Sequence, residues 1–396
     1  MKILTVSASP YMLTRLGRLH KSIILDLLKG GYEVCSAVWH HDKNYYTNDE
    51  IDKKYYFEHD GEKQNELVLI STEPTKAIAS IYDLSKKFNP DVVVSIGDYH
   101  ETDYISAIKS VNPKLFKWVA VLTIASGIEP THKNQIDHID YALISTRQGL
   151  RAFRSLSPSA VDWVPVGYDS ETFYTSPEPP GTFRIMANLK NSQSCNPVAF
   201  LAAIKVLKSS CKDIEAYLHT NIDEDGDYCL RDVIEDFGLL NIVSTPKKFV
   251  TNQHGISDEN LRQEYSKSAV IVDPSMKSAT AISLLEGMGC GCFPLATKIG
   301  ALEDVLTPWE SNFIYSNSFI GEKHQKLEII NSDSLAERLI ELYKNFKKAK
   351  DKKDFFGKYT CRAKEFSRKV FLEKLKDAIS KIVEGKEAEL AVDVLV

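Results

Sequence analysis

Two doubly wound α/β domains facing a cleft, followed by C-terminal helices, are the architecture this sequence predicts, and three features predict it. Short apolar strands alternate with amphipathic helices from residue 2 to 154, the alternation stops at the proline-rich stretch Thr175-Ser176-Pro177-Glu178-Pro179-Pro180-Gly181-Thr182, and it restarts at Phe183. A chain of 396 residues suits two cores better than one, and its 43% hydrophobic and 26% charged content excludes disordered, collagenous and coiled-coil classes.

The first series opens with the apolar run Lys2-Ile3-Leu4-Thr5-Val6-Ser7, read as a strand. Leu16 to Leu28 follows with apolar residues at helical spacing, and Gly30-Gly31 stops that helix. Tyr32 to Val38 reads as the second strand, and a strand-helix-strand connection of this kind favours a parallel sheet. The pattern continues as strand Leu67–Ile70, helix 75–88, strand Val92–Ile96, helix 102–110, strands Trp118–Thr123 and Tyr141–Ser145, and helix 147–154. The second series runs from strand Phe183–Ala187 through Asn196-Pro197, read as the cap and first residue of a helix reaching Lys208. Strand Ile214–Leu218, helix 228–237, strand Ala269–Val272, helix 280–288, strand Cys292–Leu295 and a helix near 301–306 come next. From 333 to 383 only amphipathic helices remain. The expected boundaries are a domain over 1–176, a linker over 177–182, a second domain over 183–365, and a tail over 366–396 that packs back on the first domain.

The formal charge of −5 supplies no basic footprint, so nucleic acid is not an expected partner. The cationic run Lys344, Lys347, Lys348, Lys350, Lys352 and Lys353 lies in a helical pattern and is interrupted by Asp351 and Asp354. It reads as a solvated helix face, with peripheral membrane contact as the alternative. Seven scattered cysteines do not form a disulfide framework, and no leader or long apolar run opens the chain, so a cytoplasmic protein is expected. Cys290 and Cys292 lack the further ligands that zinc requires, and no metal site is expected. There is no dinucleotide-binding glycine fingerprint, phosphate-binding loop, metalloprotease helix or serine elbow.

In sheets of this kind ligands bind beyond the carboxyl ends of the strands, where helix N-termini present N–H groups to anions. The segment from Val270 to Glu286 runs from a buried strand through the polar turn Asp273-Pro274-Ser275-Met276-Lys277-Ser278 into a helix that carries Glu286. A diphosphate suits the helix start at Ala279, Thr280 and Ala281, and Glu286 suits vicinal hydroxyls of a sugar. Taken alone, Glu286 followed by Gly-Met-Gly-Cys-Gly equally reads as a helix ending in a glycine-rich turn.

Pro274-Ser275, Leu285 to Cys292, and Ile299-Gly300-Ala301-Leu302-Glu303-Asp304 resemble the donor-site signature of the retaining GT-B glycosyltransferases of family 4 type, which include sucrose synthases and many bacterial polysaccharide transferases. Trp163 to Phe173 resembles that family's bridge into the donor domain, Asp258 to Tyr265 the helix before the donor strand, and Arg362 to Leu375 the closing helices. The resemblance implies that 183–365 binds a nucleotide-sugar, UDP- or GDP-linked, with no other cofactor and no essential metal, and that 1–176 binds the acceptor. Glu286 then contacts the nucleotide ribose. The family's first glutamate is Ser278 here, and its basic pair after the first donor-domain strand is absent from Ala187 to Asn196, where only Lys190 offers a cation. Lys190 equally reads as an exposed loop lysine.

Charge on the leaving diphosphate would be met by Lys190, the amides of Ala279, Thr280 and Ala281, and Arg18 after Gly17. In the first domain Gly97-Asp98-Tyr99-His100 resembles the aspartate-aromatic-histidine turn of glycogen-synthase-like members, which places Asp98 and His100 near the donor. Asp98 equally reads as a helix cap over Glu101 and Thr102. Glu129 and His132 are further acceptor-side candidates. The expected activity is transfer of a sugar, with retention, to a glycan, glycolipid or glycoprotein bound by loops 8–15, 40–65 and 125–135. Tyr45, Tyr46, Tyr55, Tyr56 and Phe57 are available there for stacking on sugar rings or for covering the domain edge. The alternative is a non-catalytic GT-B scaffold that binds nucleotide or glycan, which the departures at Ser278 and Lys190 favour.

Overall fold

The computed structural model describes residues 1–12, 14–39, 55–59, 62–70, 74–222, 226–246, 255–321, 325–349 and 355–385. Tyr45 and Tyr46, Lys350, Lys352 and Lys353, most of the loop 40–65, and the tail residues 386–396 lie outside the described residues.

The first domain contains β1 (Lys2–Ala8), α1 (Arg15–Lys29), β2 (Glu33–Trp39), β3 (Tyr55–His59), β4 (Glu62–Ile70), α2 (Pro74–Phe88), β5 (Val92–Gly97), α3 (Asp103–Val111), β6 (Lys117–Leu122), α4 (Lys133–Ile136), β7 (Tyr141–Ile144), α5 (Arg147–Leu156) and β8 (Ala160–Trp163). Its sheet has the order β3-β4-β2-β1-β5-β6-β7-β8, parallel except for the β3–β4 pair. The strand at β5 reads Val-Val-Val-Ser-Ile-Gly and is buried throughout, as a parallel strand covered on both faces must be.

After the coil at 175–182 come β9 (Phe183–Asn188), α6 (Pro197–Ser210), β10 (Ile214–His219), α7 (Leu230–Asp236), β11 (Val243–Ser244), α8 (Asp258–Ser266), β12 (Val270–Asp273), α9 (Ile282–Gly289), β13 (Phe293–Thr297), α10 (Gly300–Leu306) and β14 (Phe313–Ile314). These strands form a parallel sheet in the order β11-β10-β9-β12-β13-β14. The antiparallel hairpin β15 (Ser316–Ile320) and β16 (Lys326–Ile330) stands apart from it, and α11 (Ser332–Lys348), α12 (Thr360–Glu365) and α13 (Arg368–Glu384) complete the described residues.

Where element boundaries differ from expectation, the cause is local. The strand expected at 67–70 starts at Glu62, because Glu62 to Glu66 pair through the backbone in a hairpin with β3 and show no apolar run. All four residues of β8 are half-buried at a sheet edge, so this strand too lacks the apolar signature. Asn196 does precede α6, but it sits in the left-handed region at φ 54° and its side chain makes no capping bond.

Apolar residues from both domains merge into one cluster, in which Ile3, Val92 and Tyr141 of the first sheet share a core with Tyr168, Phe173, Ile271, Leu284 and Met288. The helix α13 joins the same cluster through Phe371, Leu375, Ala378 and Ile379, so the chain's last described helix is part of the first domain's packing. Two further clusters fill the outer faces of the two sheets. Among the described residues no helix is long and apolar enough to cross a membrane.

The return of the chain to the first domain is held by backbone. Tyr168 N–H donates to Phe366 O at 3.1 Å, Arg368 N–H donates to Tyr168 O at 2.7 Å, and Tyr168 and Ser367 form a parallel bridge. Gly167 makes this possible, because a Cβ there would lie 2.4 Å from the Ser367 carbonyl carbon. Nearby, α5 meets α10: Arg147 N–H donates to Asp304 Oδ2 at 2.9 Å, and Arg362 donates to the carbonyls of Asp304 and Val305 at 3.0 and 3.1 Å. Burial pushes the Asp304 carboxyl up to about 6, against the opposing pull of Arg147.

Two outcomes follow from these contacts. Gly167→Val should destabilise the protein by about 1–3 kcal/mol in urea unfolding, since the bulk can only be relieved by displacing backbone. Because the Asp304 carboxyl titrates higher folded than unfolded, its ionised form opposes folding above pH 6, and that penalty fades as the pH falls from 6 toward 4. Asp304→Asn should therefore be more stable than the parent at pH 8 by about 1–3 kcal/mol, with the advantage vanishing near pH 4.

Candidate functional site

In each sheet the winding reverses at one place, between β1 and β5 in the first domain and between β9 and β12 in the second. Crevices open at such reversals beyond the strands' carboxyl ends. The four loops concerned are 9–14, 98–102, 189–196 and 274–281. Gly17, Arg18, Asp98, His100, Lys190, Ser278, Ala279, Thr280, Ala281 and Glu286 lie in one of them or in the first turns of the helix that follows, whereas Glu129 and His132 lie in the loop after β6.

Glu286 is the centre of the arrangement. It lies in the second turn of α9, a helix in which every residue is buried, and is itself 1% exposed. Its Oε1 accepts from Arg18 Nη2 at 3.0 Å, and its Oε2 accepts from the Tyr265 hydroxyl at 3.0 Å. The same hydroxyl accepts from Asn188 Nδ2 at 2.8 Å, which fixes its proton toward the carboxylate. Burial pushes the Glu286 carboxyl up, and Arg18 and the Tyr265 hydrogen bond work against that rise.

Arg18 also stands 3.2 Å from Asp258 Oδ1 and over the Phe173 ring at 5.6 Å. Burial depresses its pKa, but Glu286 and Asp258 outweigh burial and raise it. One turn earlier, Arg15 Nη2 donates to Ser283 Oγ at 3.3 Å. Residues three apart on α1 thus reach residues three apart on α9 across the cleft. Gly17 lies between the two arginines, its N–H donating to the α1 cap Thr14 at 3.2 Å.

The start of α9 presents uncapped backbone. Its N-cap, Ala281, has φ 45°, there is no side-chain capping bond, and the first turn carries no acidic residue. Ala279 and Thr280 are half-buried just before it, and Ser278 is 6% exposed. The Ser278 carbonyl accepts from Ala301 N–H at 2.9 Å. Gly300, at φ 52°, leaves no space for a side chain: a Cβ would fall 2.2 Å from Ser278 O and 2.9 Å from Ala125 O of the first domain. The Ile299-Gly300-Ala301 segment therefore holds the Ser278 loop in place and brings it against the loop after β6. Met276 N–H donates to Ser194 O at 2.8 Å, tying together the second domain's two crevice loops. Lys190, on one of those loops, is exposed and is not part of the Glu286 network.

On the facing side, Asp98 caps the turn Tyr99–Thr102: its Oδ1 accepts from Tyr99 N–H at 2.7 Å, while Glu101 Oε2 accepts from Asp98 N–H at 2.8 Å. The capping alternative raised by the sequence is what the geometry shows for Asp98. His100, half-buried in the same turn, has its Nδ1 3.3 Å from His132 Nε2, and His132 Nδ1 lies 4.0 Å from Glu129 Oε2.

Several partners of the site escaped sequence reasoning, Ser283 and Asp258 among them. Arg15 precedes Gly17 without any motif to mark it, Asn188 falls at the end of a strand, and Tyr265 is one aromatic residue in an amphipathic helix. Only the spacing of Arg15 and Arg18, one helical turn apart as Ser283 and Glu286 are, carries a signal, and it becomes readable once the helices are known to be neighbours.

Residues 246–353, which hold α8, the Ser278 loop, Glu286 and the Gly300 turn, match the family described as Glycosyl transferases group 1. A search of curated proteins finds no match. Among solved structures, sucrose-phosphate synthase from Thermosynechococcus elongatus is similar over 97% of this chain and 100% of its own, with TM-score 0.74 and 12% identity. A glycosyltransferase from Rickettsia africae is similar over 98% and 99%, with TM-score 0.68 and 15% identity. The E. coli trehalose-6-phosphate protein bound with UDP-2-fluoro glucose is similar over 97% and 99%, with TM-score 0.69 and 11% identity. The chain thus has the GT-B fold, two Rossmann-like domains across a cleft, and the stretch that is similar to the glycosyl transferases group 1 family lies in its second domain.

Proposed function

We propose that this chain transfers a sugar from a UDP- or GDP-sugar to a hydroxyl of a glycan, glycolipid or glycoprotein, with retention of anomeric configuration. The observation that carries the reading is the group 1 match over residues 246–353, because that segment coincides with the crevice built from the Ser278 loop, the open start of α9 and Glu286.

The donor diphosphate sits on the uncapped amides of Ala279, Thr280 and Ala281, where the helix dipole and free N–H groups favour an anion. Arg15, hydrogen-bonded at the first turn of α9, and Arg18 supply the cationic charge that the departing diphosphate needs, with Lys190 available from the loop after β9. No divalent cation is assigned a part. Breaking the bond from the sugar carbon to the phosphate oxygen leaves the electron pair on the diphosphate, and the acceptor oxygen bonds to the same face of that carbon as its proton passes to the departing phosphate oxygen. Ser278 hydrogen-bonds the sugar, and Glu286 takes the ribose hydroxyls. Since Glu286 is 1% exposed beneath Arg18, the ribose reaches it only as Arg18 moves aside. The protein acts at the cytoplasmic side, on an acceptor held by the first domain's loops.

A scaffold that binds without catalysis is the second reading. The observation favouring it is that both Glu286 oxygens are already engaged by protein donors.

A thermal-shift and calorimetric screen against UDP, GDP, CDP, ADP and their sugar conjugates separates the readings, since a ligand at about 100-fold its Kd adds about 2.7 kcal/mol to stability. Binding of one nucleotide together with release of free nucleotide from its sugar conjugate is expected; binding with no turnover on any acceptor would favour the scaffold. Glu286→Gln should weaken nucleotide binding by about tenfold, roughly the loss of one hydrogen bond to a charged group. Ser278→Ala should leave the free nucleotide within about twofold and weaken only the sugar conjugate. Equal losses from both would overturn the two assignments.

A further inference from the structure

Glu286 has two donors, and only one of them can be exchanged for a ligand. Tyr265 is fully buried behind the carboxylate, packed on the Phe173 ring at 5.9 Å and fixed by Asn188 Nδ2 at 2.8 Å. It belongs to the same domain as Glu286 and has nowhere to go. Arg18 reaches in from the other domain, so it approaches from the cleft, and its side chain is 19% exposed against 1% for Glu286. Arg18 therefore covers the face of the carboxylate that a ligand in the cleft must reach.

The guanidinium is well held where it is. Its Nη2 stands between Glu286 Oε1 at 3.0 Å and Asp258 Oδ1 at 3.2 Å, a cation shared by two carboxylates. Moving it away leaves Glu286, in a helix buried at every residue, with neutral donors in place of a charge. A nucleoside offers two ribose hydroxyls to the carboxylate and nothing to the guanidinium. A nucleoside diphosphate offers the same hydroxyls together with an anion at the open start of α9. That start lies within reach of α1, because Arg15, one turn before Arg18, already has its Nη2 3.3 Å from Ser283 Oγ in the first turn of α9.

We propose that Arg18 is a specificity-determining residue that occupies the ribose position of the empty site and is passed from Glu286 to the diphosphate on binding, so that a nucleoside is admitted only with the phosphates that draw Arg18 away. The inference rests on the nucleotide-sugar reading of this site. It differs from simple attraction of the diphosphate by Arg18 in one measurable respect. Attraction alone makes a nucleoside without phosphates indifferent to Arg18, whereas exchange makes Arg18 its competitor.

The test is titration of the full-length protein with uridine, UDP, guanosine and GDP at fixed ionic strength, by calorimetry for the diphosphates and ligand-observed NMR for the nucleosides. The parent should bind the diphosphate of one base roughly 100-fold more tightly than its nucleoside, since only the diphosphate re-pairs the displaced charge. Arg18→Ala should bind that diphosphate about tenfold more weakly and the nucleoside about tenfold more tightly, two changes of opposite sign. Arg18→Gln, a neutral donor in the same place, should move both affinities in the same directions by less. It keeps the comparison available if circular dichroism shows that Arg18→Ala, with a bare buried carboxylate, does not fold. Nucleoside affinity unchanged or lowered in the folded variants, beside a weakened diphosphate, would overturn the exchange and leave Arg18 as a phosphate contact alone. Failure of both UDP and GDP to bind the parent would instead remove the nucleotide reading itself, and the exchange with it.

Discussion

A carboxylate inside a fully buried helix must be answered by donors, and at Glu286 the answer comes from two directions. Tyr265 supplies a neutral hydrogen bond from the neighbouring helix of the same domain, and Arg18 supplies a cation from the other domain. Losing either leaves a buried charge short of a partner, which costs several kcal/mol even where the intact pair contributes little net stability. The relative placement of α1 and α9 follows from this requirement, and so does the seating of Arg15 at the first turn of α9. The open helix start, the Ser278 loop and the arginines are brought to one place because a single buried group cannot be satisfied by its own domain.

The mouth of the crevice is shaped by a different demand. Gly300 gives up its side chain so that the Ser278 carbonyl can be gripped by Ala301, and Ala125 can close in from the other domain. The two motifs that flank the donor segment in the sequence, one around Glu286 and one around Gly300, are therefore parts of one object.

Much of this was legible in the sequence, and the parts that were not share a reason. Buried parallel strands such as β5 and β12 announce themselves through unbroken apolar runs, and helices such as α1 and α13 through their periodicity, so the two-domain series and its proline-rich break could be read directly. Edge strands were missed or shortened because their pairing is a matter of backbone: β8 and the first half of β4 have no apolar face to display. Within the site, the helix start at 279–281 and Glu286 were visible as a strand-turn-helix pattern, and Asp98 as a cap. What stayed hidden was pairing at long range. Nothing in the string links Arg18 to Glu286, 268 positions away, or His100 to His132, since these contacts exist only after two sheets and two loops have been placed.

The two chain crossings between the domains lie against each other, where Gly167 and Tyr168 pass Phe366 and Ser367 in a parallel bridge. Two adjacent attachments along one line act as the pin of a hinge. Sliding and twisting of one lobe against the other would shear the bridge, whereas swinging about it leaves the bridge intact. Any such swing would have to open the apolar cluster that the two domains share and part Arg18 from Glu286, so the core and the buried pair together act as its latch.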